Sequence, residues 1–275
     1  MTARSYLFVP GDKPSMLQKA ATRGADALIL DMEDAVAPAA KLLARSTITE
    51  HLDWFEVDGP EIWIRVNNVP ELLDGDLAVA RHPVVRGVFI PKVNTAAEVK
   101  QAIERIGRRV SIDAMIETGR AVLDIRDIAS VPGVAHLTLG LADLGADLLV
   151  DADPDDPLWG PVRMQVVLAS AAAGIESPIA PVSPNFQDID VFSQRCEAWA
   201  RAGYGGRQLI HPAQVTPANA AFAPTPEQVT EARRVLAKFE EALATGSGAI
   251  RDDDGTMLDE AFVRRARQIL AHVES

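Results

Sequence analysis

The sequence predicts an α/β fold: a closed TIM-type (β/α)8 barrel followed by a C-terminal helical arm. Three observations predict it. Strand-like and helix-like stretches alternate along the chain in eight units of about 25 residues each, more than an open sheet of ordinary size needs. The strand-like stretches are short and apolar without alternating polarity, as expected of parallel strands buried on both faces. At 275 residues, 48% of them hydrophobic, the chain has the length and core-forming capacity of such a barrel.

The elements follow in order. Residues 6–10 read as the first strand and 15–23 as the first helix. Residues 27–31, wholly apolar up to Asp31, form the second strand, with a helix near 38–51. Residues 61–66 are the third strand and 72–81 its helix. Residues 87–90 and 96–106 make the fourth unit, 110–116 and 118–130 the fifth. The sixth strand, 134–140, is followed by helices at 143–150 and 162–174. Residues 179–182 are the seventh strand and 189–202 its helix, and 208–211 are the eighth strand. An open doubly wound sheet would want a glycine-rich phosphate loop after the first strand, and Val9-Pro10-Gly11-Asp12-Lys13 is not one. The barrel is expected to fill residues 1–224 and the arm 225–275. In the arm, an amphipathic helix at 225–243 opens on Thr225-Pro226-Glu227-Gln228, with proline in the first turn. Gly246-Ser247-Gly248 breaks it, Arg251-Asp252-Asp253-Asp254-Gly255 reads as a charged turn, and a last helix covers 259–273. Two helices about a hinge suggest a lid or a subunit-contact arm.

Composition narrows the function. A net charge of −12 argues against broad nucleic-acid binding, which wants a basic face, but leaves a small anionic ligand open. The single cysteine, Cys196, excludes an internal disulfide and a multi-cysteine metal cluster. Met1-Thr2-Ala3-Arg4-Ser5 passes directly into strand with no secretory apolar stretch, and no apolar run reaches the ~20 residues that span a bilayer. A cytoplasmic protein without membrane contact is expected.

In a parallel barrel the strand ends share one rim, and there the sequence concentrates charge. Ile64-Arg65-Val66-Asn67, Ile116-Glu117-Thr118 and Leu141-Ala142-Asp143 each run apolar and then deliver a charged side chain. Glu117 and Asp143 follow neighbouring strands about 4.8 Å apart, so both carboxylates can reach one ion. Two carboxylates without histidine suit a hard cation such as Mg2+ better than zinc. The alternative is that they cap the helices that follow. A guanidinium at Arg65 suits a carboxylate or 2-oxo acid, or else a rim salt bridge with Glu117 as one partner. Asp31-Met32-Glu33-Asp34 offers hydrogen bonds behind a metal or a helix cap rather than direct ligation. Lys92 ends the fourth strand. A Schiff base there would need a lowered pKa, and the surrounding acids raise it. His211, before Pro212, is either a general base or a turn residue. His51, His82, His136 and His272 show no ligand spacing. Arg4, Lys13, Lys41 and Arg45 make a basic face or meet the phosphates of a large ligand.

Taken in order, these blocks resemble the citrate lyase beta subunit family, within the HpcH/HpaI aldolase superfamily, over nearly the whole chain. The resemblance is carried by Arg4-Ser5-Tyr6-Leu7-Phe8-Val9-Pro10-Gly11, by Asp31-Met32-Glu33-Asp34-Ala35-Val36 with Lys41 and Ala44-Arg45, and by Ile64-Arg65-Val66-Asn67. It continues through Ile90-Pro91-Lys92, Ile116-Glu117-Thr118, Gly140-Leu141-Ala142-Asp143-Leu144, Ile210-His211-Pro212-Ala213-Gln214 and Gly255-Thr256-Met257-Leu258-Asp259.

The resemblance implies Mg2+ held by Glu117 and Asp143, Arg65 on a keto acid such as oxaloacetate, glyoxylate or pyruvate, and cleavage of a malyl-, citramalyl- or citryl-type thioester. It implies Asp259 as acid–base group, delivered from a neighbouring subunit of a homo-oligomer, trimer or hexamer, with Glu33, Asp34 and Lys92 behind the metal. A malyl-CoA-type thioesterase on the same site, or a non-catalytic subunit that binds an acyl carrier protein, are the alternatives. The chain departs from the family pattern at Ala142, where an acid is commoner, at Thr118-Gly119-Arg120, and at Arg207, where lysine is common.

Overall fold

The computed structural model describes residues 3–151, 153–244, 250–251 and 257–274. Eight parallel strands close into a barrel in sequence order: β1 Ser5–Pro10, β2 Ala27–Asp31, β3 Glu61–Arg65, β4 Val85–Ile90, β5 Ser111–Ile116, β6 Val134–Leu139, β7 Ile179–Ala180 and β8 Gly206–Leu209. The barrel closes where β1 pairs with β8, Tyr6 beside Gln208. Helices follow the strands: α1 Pro14–Ala20, α2 Lys41–His51, α3 Pro70–Val79, α4 Ala96–Ile106, α5 Gly119–Ala129, α6 Leu141–Leu148, α7 Gly160–Ala173, α8 Ile189–Arg201 and α9 Val215–Ala221.

Each strand has two buried faces. On β2, Leu28 and Leu30 join the large outer core under the helices, while Ala27 and Ile29 point into the barrel. This is why the strands read as continuous apolar runs. The interior is packed rather than hollow. Tyr6, Trp63 and Phe89 meet edge-to-face with ring centroids 5.3 to 6.2 Å apart. Gly87 makes room for this layer, since a Cβ there would sit 2.3 Å from the Trp63 ring.

The helices start where the sequence offers caps. Thr95 and Thr118 accept from the backbone N–H three residues on, at α4 and α5. Three features differ from expectation. The stretch after Gln214 forms α9 although Pro217 lies in it. That proline sits in the first turn, where its missing N–H is not needed. β7 is only two residues long, because Pro178 and Pro181 flank it and cannot donate to the ladder. α6 begins at Leu141, two residues earlier than the sequence suggests.

The chain divides into two compact units, Ala3–Phe222 and a second that runs from Ala223. In the second, α10 (Pro226–Ala244) and α11 (Glu260–Glu274) pack about Ala232, Val235, Leu258 and Ala266. Thr225 and Gln228 exchange side-chain-to-backbone hydrogen bonds at the start of α10. A short antiparallel pair, β9 Ile250–Arg251 and β10 Met257–Leu258, precedes α11. The expected hinge at Gly246-Ser247-Gly248 and the body of the charged turn, 252–255, lie outside the described residues. No helix among the described residues is long and apolar enough to cross a membrane.

Candidate active site

The C-terminal ends of the strands surround a cavity of about 410 Å3 lined by Phe8, Asp31, Arg65, Glu117, Asp143 and Gln208, among others. Three charged positions singled out in the sequence, Arg65, Glu117 and Asp143, thus share one cavity. A larger cleft of about 740 Å3 lies at the opposite, N-terminal ends of β3 to β6, away from these residues. In barrels of this kind chemistry belongs to the C-terminal end.

Arg65 is the last residue of β3. Parallel pairing puts it beside Asp31, the last residue of β2. Its Nε and Nη2 donate to the two Asp31 oxygens at 2.7 and 2.6 Å, and Nη1 lies 3.1 Å from Glu33 Oε2. The partner is therefore Asp31, not Glu117. The guanidinium stacks 4.5 Å over the Phe8 ring. Burial opposes its charge, but Asp31, Glu33 and Asp34 together outweigh burial and hold its pKa above the ordinary value. A guanidinium has five N–H donors, so some remain for a ligand. Asp31 also accepts from the backbone of Glu33 at 2.8 Å and Ala35 at 3.1 Å, which turns the loop after β2. Asn67 and Arg45 both bind Asp76 and brace the turn after β3.

Glu117 follows β5 and is 3% exposed. Its Oε2 accepts from the Lys92 backbone N–H at 2.7 Å. Lys92 reaches that position with φ of 51°, in the left-handed region. Behind Glu117 stands Gly140, where a Cβ would lie 2.1 Å from Oε1. Burial pushes the Glu117 carboxyl up to about 7. The Lys92 N–H opposes this, and the charges of Asp143 and Glu33 add to it.

Asp143 lies in the first turn of α6, past Gly140. The Lys92 ammonium sits 2.5 Å from Glu33 Oε1, 3.4 Å from Asp34 Oδ2 and 3.6 Å from Asp143 Oδ1. Burial opposes its charge, but these acids raise its pKa, against a Schiff-base role. Burial raises the Glu33 pKa against the pull of Arg65 and Lys92.

The donors fit a hard divalent cation. Glu117 and Asp143 supply oxygen only, and Glu117 is a buried carboxylate whose charge its surroundings disfavour. A positive ion placed between the two acids would relieve that. Among the described residues no group of three or more His, Cys, Asp or Glu has metal-site geometry, so two protein ligands would leave the rest of the shell to water and substrate.

Other candidates have structural partners. His211 caps the turn at Pro212–Gln214 by accepting from Ala213 N, and it stacks on Phe186 at 4.8 Å. Arg4 pairs with Asp26, Arg45 with Asp76 and Lys13 with Asp12, while Lys41 donates to the Glu33 carbonyl. Asp259 belongs to the C-terminal unit and accepts from Ala261 N at 2.9 Å, as a cap of α11. Sequence reasoning missed Asp31 as the partner of Arg65, and Phe8, Met115 and Gln208 as lining. Strand register was the signal for the first, since both residues end adjacent strands.

The profile of the HpcH/HpaI aldolase/citrate lyase family matches residues 4–212. A (3S)-malyl-CoA thioesterase of Cereibacter sphaeroides is 33% identical over 273 residues, covering 99% of this chain and 95% of that protein. An L-malyl-CoA/beta-methylmalyl-CoA lyase of Rhodobacter capsulatus is 30% identical over 309 residues, covering 98% and 94%. Solved structures of CitE from Mycobacterium tuberculosis share the fold. The complex with magnesium, acetoacetate and coenzyme A superposes with a TM-score of 0.82 at 26% identity, covering 100% of this chain and 99% of that one. A complex of the citrate lyase beta subunit of M. tuberculosis with oxaloacetate and magnesium gives 0.71 at 26% identity, covering 81% and 98%. A barrel with this rim chemistry, matched along its length by that profile and these relatives, belongs to the HpcH/HpaI aldolase/citrate lyase family.

Proposed function

We propose that this chain is a Mg2+-dependent carbon–carbon lyase that cleaves a malyl-, citramalyl- or citryl-type thioester into a 2-oxo acid and an acyl-CoA, or runs the reverse condensation. The observation that carries the reading is the meeting of Arg65, Glu117 and Asp143 on one cavity at the catalytic end of the barrel.

In the cleavage direction the substrate hydroxyl loses its proton and becomes the oxo group. The carbon–carbon bond electrons pass to the acyl α-carbon, which takes up a proton. Glu117 and Asp143 would hold the Mg2+ ion, which when bound polarises oxygen as a Lewis acid. Arg65, fixed by Asp31 and Phe8, offers its remaining N–H groups to the oxo-acid half and a positive charge where oxyanion character develops. Asp31, Glu33 and Lys92 touch the ligating and gripping residues and hold their geometry. Asp259 is proposed as the group that moves the proton at the α-carbon, supplied from a neighbouring copy in a trimer or hexamer.

One M. tuberculosis complex holds magnesium with acetoacetate, a monocarboxylate, and another holds magnesium with oxaloacetate, a dicarboxylate. A second reading, hydrolysis of the malyl-CoA-type thioester on the same site, is favoured by the 33% identical thioesterase. Among the described lining residues there is no serine, cysteine or histidine to act as nucleophile, so that route needs an activated water.

Product analysis with malyl-, citramalyl- and citryl-CoA tests both. Free oxo acid with acyl-CoA is the expected result. Free hydroxy acid with free CoA makes the hydrolase reading correct instead. No turnover of any thioester, with or without Mg2+, overturns the enzyme reading and leaves a subunit that binds an acyl carrier protein.

A further inference from the structure

The lining of the cavity beyond Arg65 bears on which oxo acid it holds. Resting on the assignment of Arg65, Glu117 and Asp143 above, we infer that the cavity selects a monocarboxylic 2-oxo acid of the glyoxylate or pyruvate type over a dicarboxylic one of the oxaloacetate type. Gln208, which lines it, is the specificity-determining residue.

Asp31, Asp34, Glu117 and Asp143 line the cavity, and Arg65 is the one cation among the described lining residues. Arg65 is already bound through two nitrogens to Asp31. A divalent ion and the N–H groups of Arg65 left over from Asp31 and Glu33 can meet one carboxylate and the adjacent oxo oxygen. A second carboxylate would find no unpaired counter-charge among the described lining residues.

The nearby cations are already paired. The Lys92 ammonium lies 2.5 Å from Glu33, 3.4 Å from Asp34 and 3.6 Å from Asp143. Arg207 precedes Gln208 in β8, so its side chain leaves from the opposite face of the strand. It donates to the Pro181 carbonyl at 3.1 Å and lies 4.9 Å from the Phe192 ring centroid, fully buried.

Apart from the acids, Arg65 and Gln208, the lining is Phe8, Met115, Leu139, Pro181 and Val182 with other apolar groups. A hydrogen atom or methyl group is at home against such a surface, whereas an unpaired carboxylate is strongly penalised there.

Gln208 lines the cavity, is 2% exposed, and its amide nitrogen has no hydrogen-bond partner among the described residues. Buried polar groups are normally paired, so this neutral donor awaits a ligand or water oxygen. It can complete one hydrogen bond, but it cannot neutralise a second negative charge. The thioester split by this site is then of the malyl or citramalyl type, and the citryl type is disfavoured.

Isothermal titration of the full chain in Mg2+ tests this with glyoxylate, pyruvate, 2-oxobutyrate and freshly dissolved oxaloacetate. Oxaloacetate and 2-oxobutyrate have the same four-carbon chain length and differ in the second carboxylate, which separates charge from size. Glyoxylate or pyruvate is expected to bind tightest, and 2-oxobutyrate about tenfold or more tighter than oxaloacetate. Oxaloacetate binding as tight as 2-oxobutyrate overturns the inference and leaves the underlying assignment standing. Binding of none of the four, or binding unchanged in Arg65→Ala, overturns that assignment instead. Gln208→Arg is expected to shift the ratio toward oxaloacetate by about tenfold. A folded Gln208→Arg protein with an unchanged ratio removes Gln208 from the role. Should Gln208→Arg not fold, Gln208→Met, which keeps the volume and loses the donor, is expected to weaken pyruvate binding several-fold, and unchanged binding has the same overturning force.

Discussion

Glu117 is held from two sides, by the Lys92 N–H on one oxygen and by the bare backbone of Gly140 against the other. A Gly140→Ala substitution has no room for its methyl group unless the carboxylate moves. We expect Mg2+ affinity, measured by titration calorimetry, to fall about tenfold or more while the fold survives. Affinity within twofold of the parent means that Glu117 is not a ligand or that its position does not matter. Glu117→Ala and Asp143→Ala are expected to abolish Mg2+-dependent turnover with circular dichroism unchanged, and full activity of either in EDTA would end the metal assignment. Sequence reasoning singled out Arg65, Glu117 and Asp143, which line one cavity, because each follows an apolar strand with a charge. It could not say which acid Arg65 would take. That follows from the register between β2 and β3, which sets Asp31 beside it and is invisible in either strand alone.

Among the elements, the strands and most helices were legible because periodicity and caps agree. Where they disagreed with the structure, the reason was local. α9 hides behind Pro217, and β7 is cut short by flanking prolines. The start of α11 decides the role of Asp259. As a cap it accepts from Ala261 N, and asparagine caps a helix about as well as aspartate. Asp259→Asn should therefore leave the melting temperature where it was. Yet it is expected to lower kcat by about a hundredfold, with little change in the affinity for the oxo acid, if the carboxylate moves a proton. Full turnover in that variant reduces Asp259 to a cap. At α5 the cap and the site meet. Thr118 accepts from Ala121 N and donates to Asn94 Oδ1, directly after Glu117. Thr118→Ala is expected to cost about 1–2 kcal/mol in urea unfolding. A loss below about 0.5 kcal/mol would show the cap to be redundant.

Across the whole molecule, the barrel interior carries a charge problem that no helix or loop can solve. Asp113 on β5 is fully buried inside the barrel, one oxygen accepting from Thr138 Oγ1 at 2.7 Å and the other without a partner among the described residues. Burial pushes its carboxyl up to about 8, with the Thr138 hydrogen bond opposing and the charge of Glu117 adding. In the unfolded chain an aspartate titrates near 3.9. Between about pH 4 and pH 8 the native protein therefore holds a proton that the unfolded chain has released, and stability falls as pH rises through that window. Below it both states are protonated and the penalty vanishes, while above it the full penalty is present. His136, also inside the barrel, works from the other side. Burial lowers its pKa from 6.5, so its contribution to stability is lost as pH falls below that value. Asparagine at 113 copies the neutral acid and can still accept from Thr138. The difference in unfolding free energy between Asp113→Asn and the parent should accordingly move in favour of the variant as pH rises from 4 to 8, by several kcal/mol, and then level off. His136 is common to both proteins and cancels in that difference. A difference independent of pH would mean that Asp113 is ionised inside the barrel, with a compensating partner that its surroundings here do not provide.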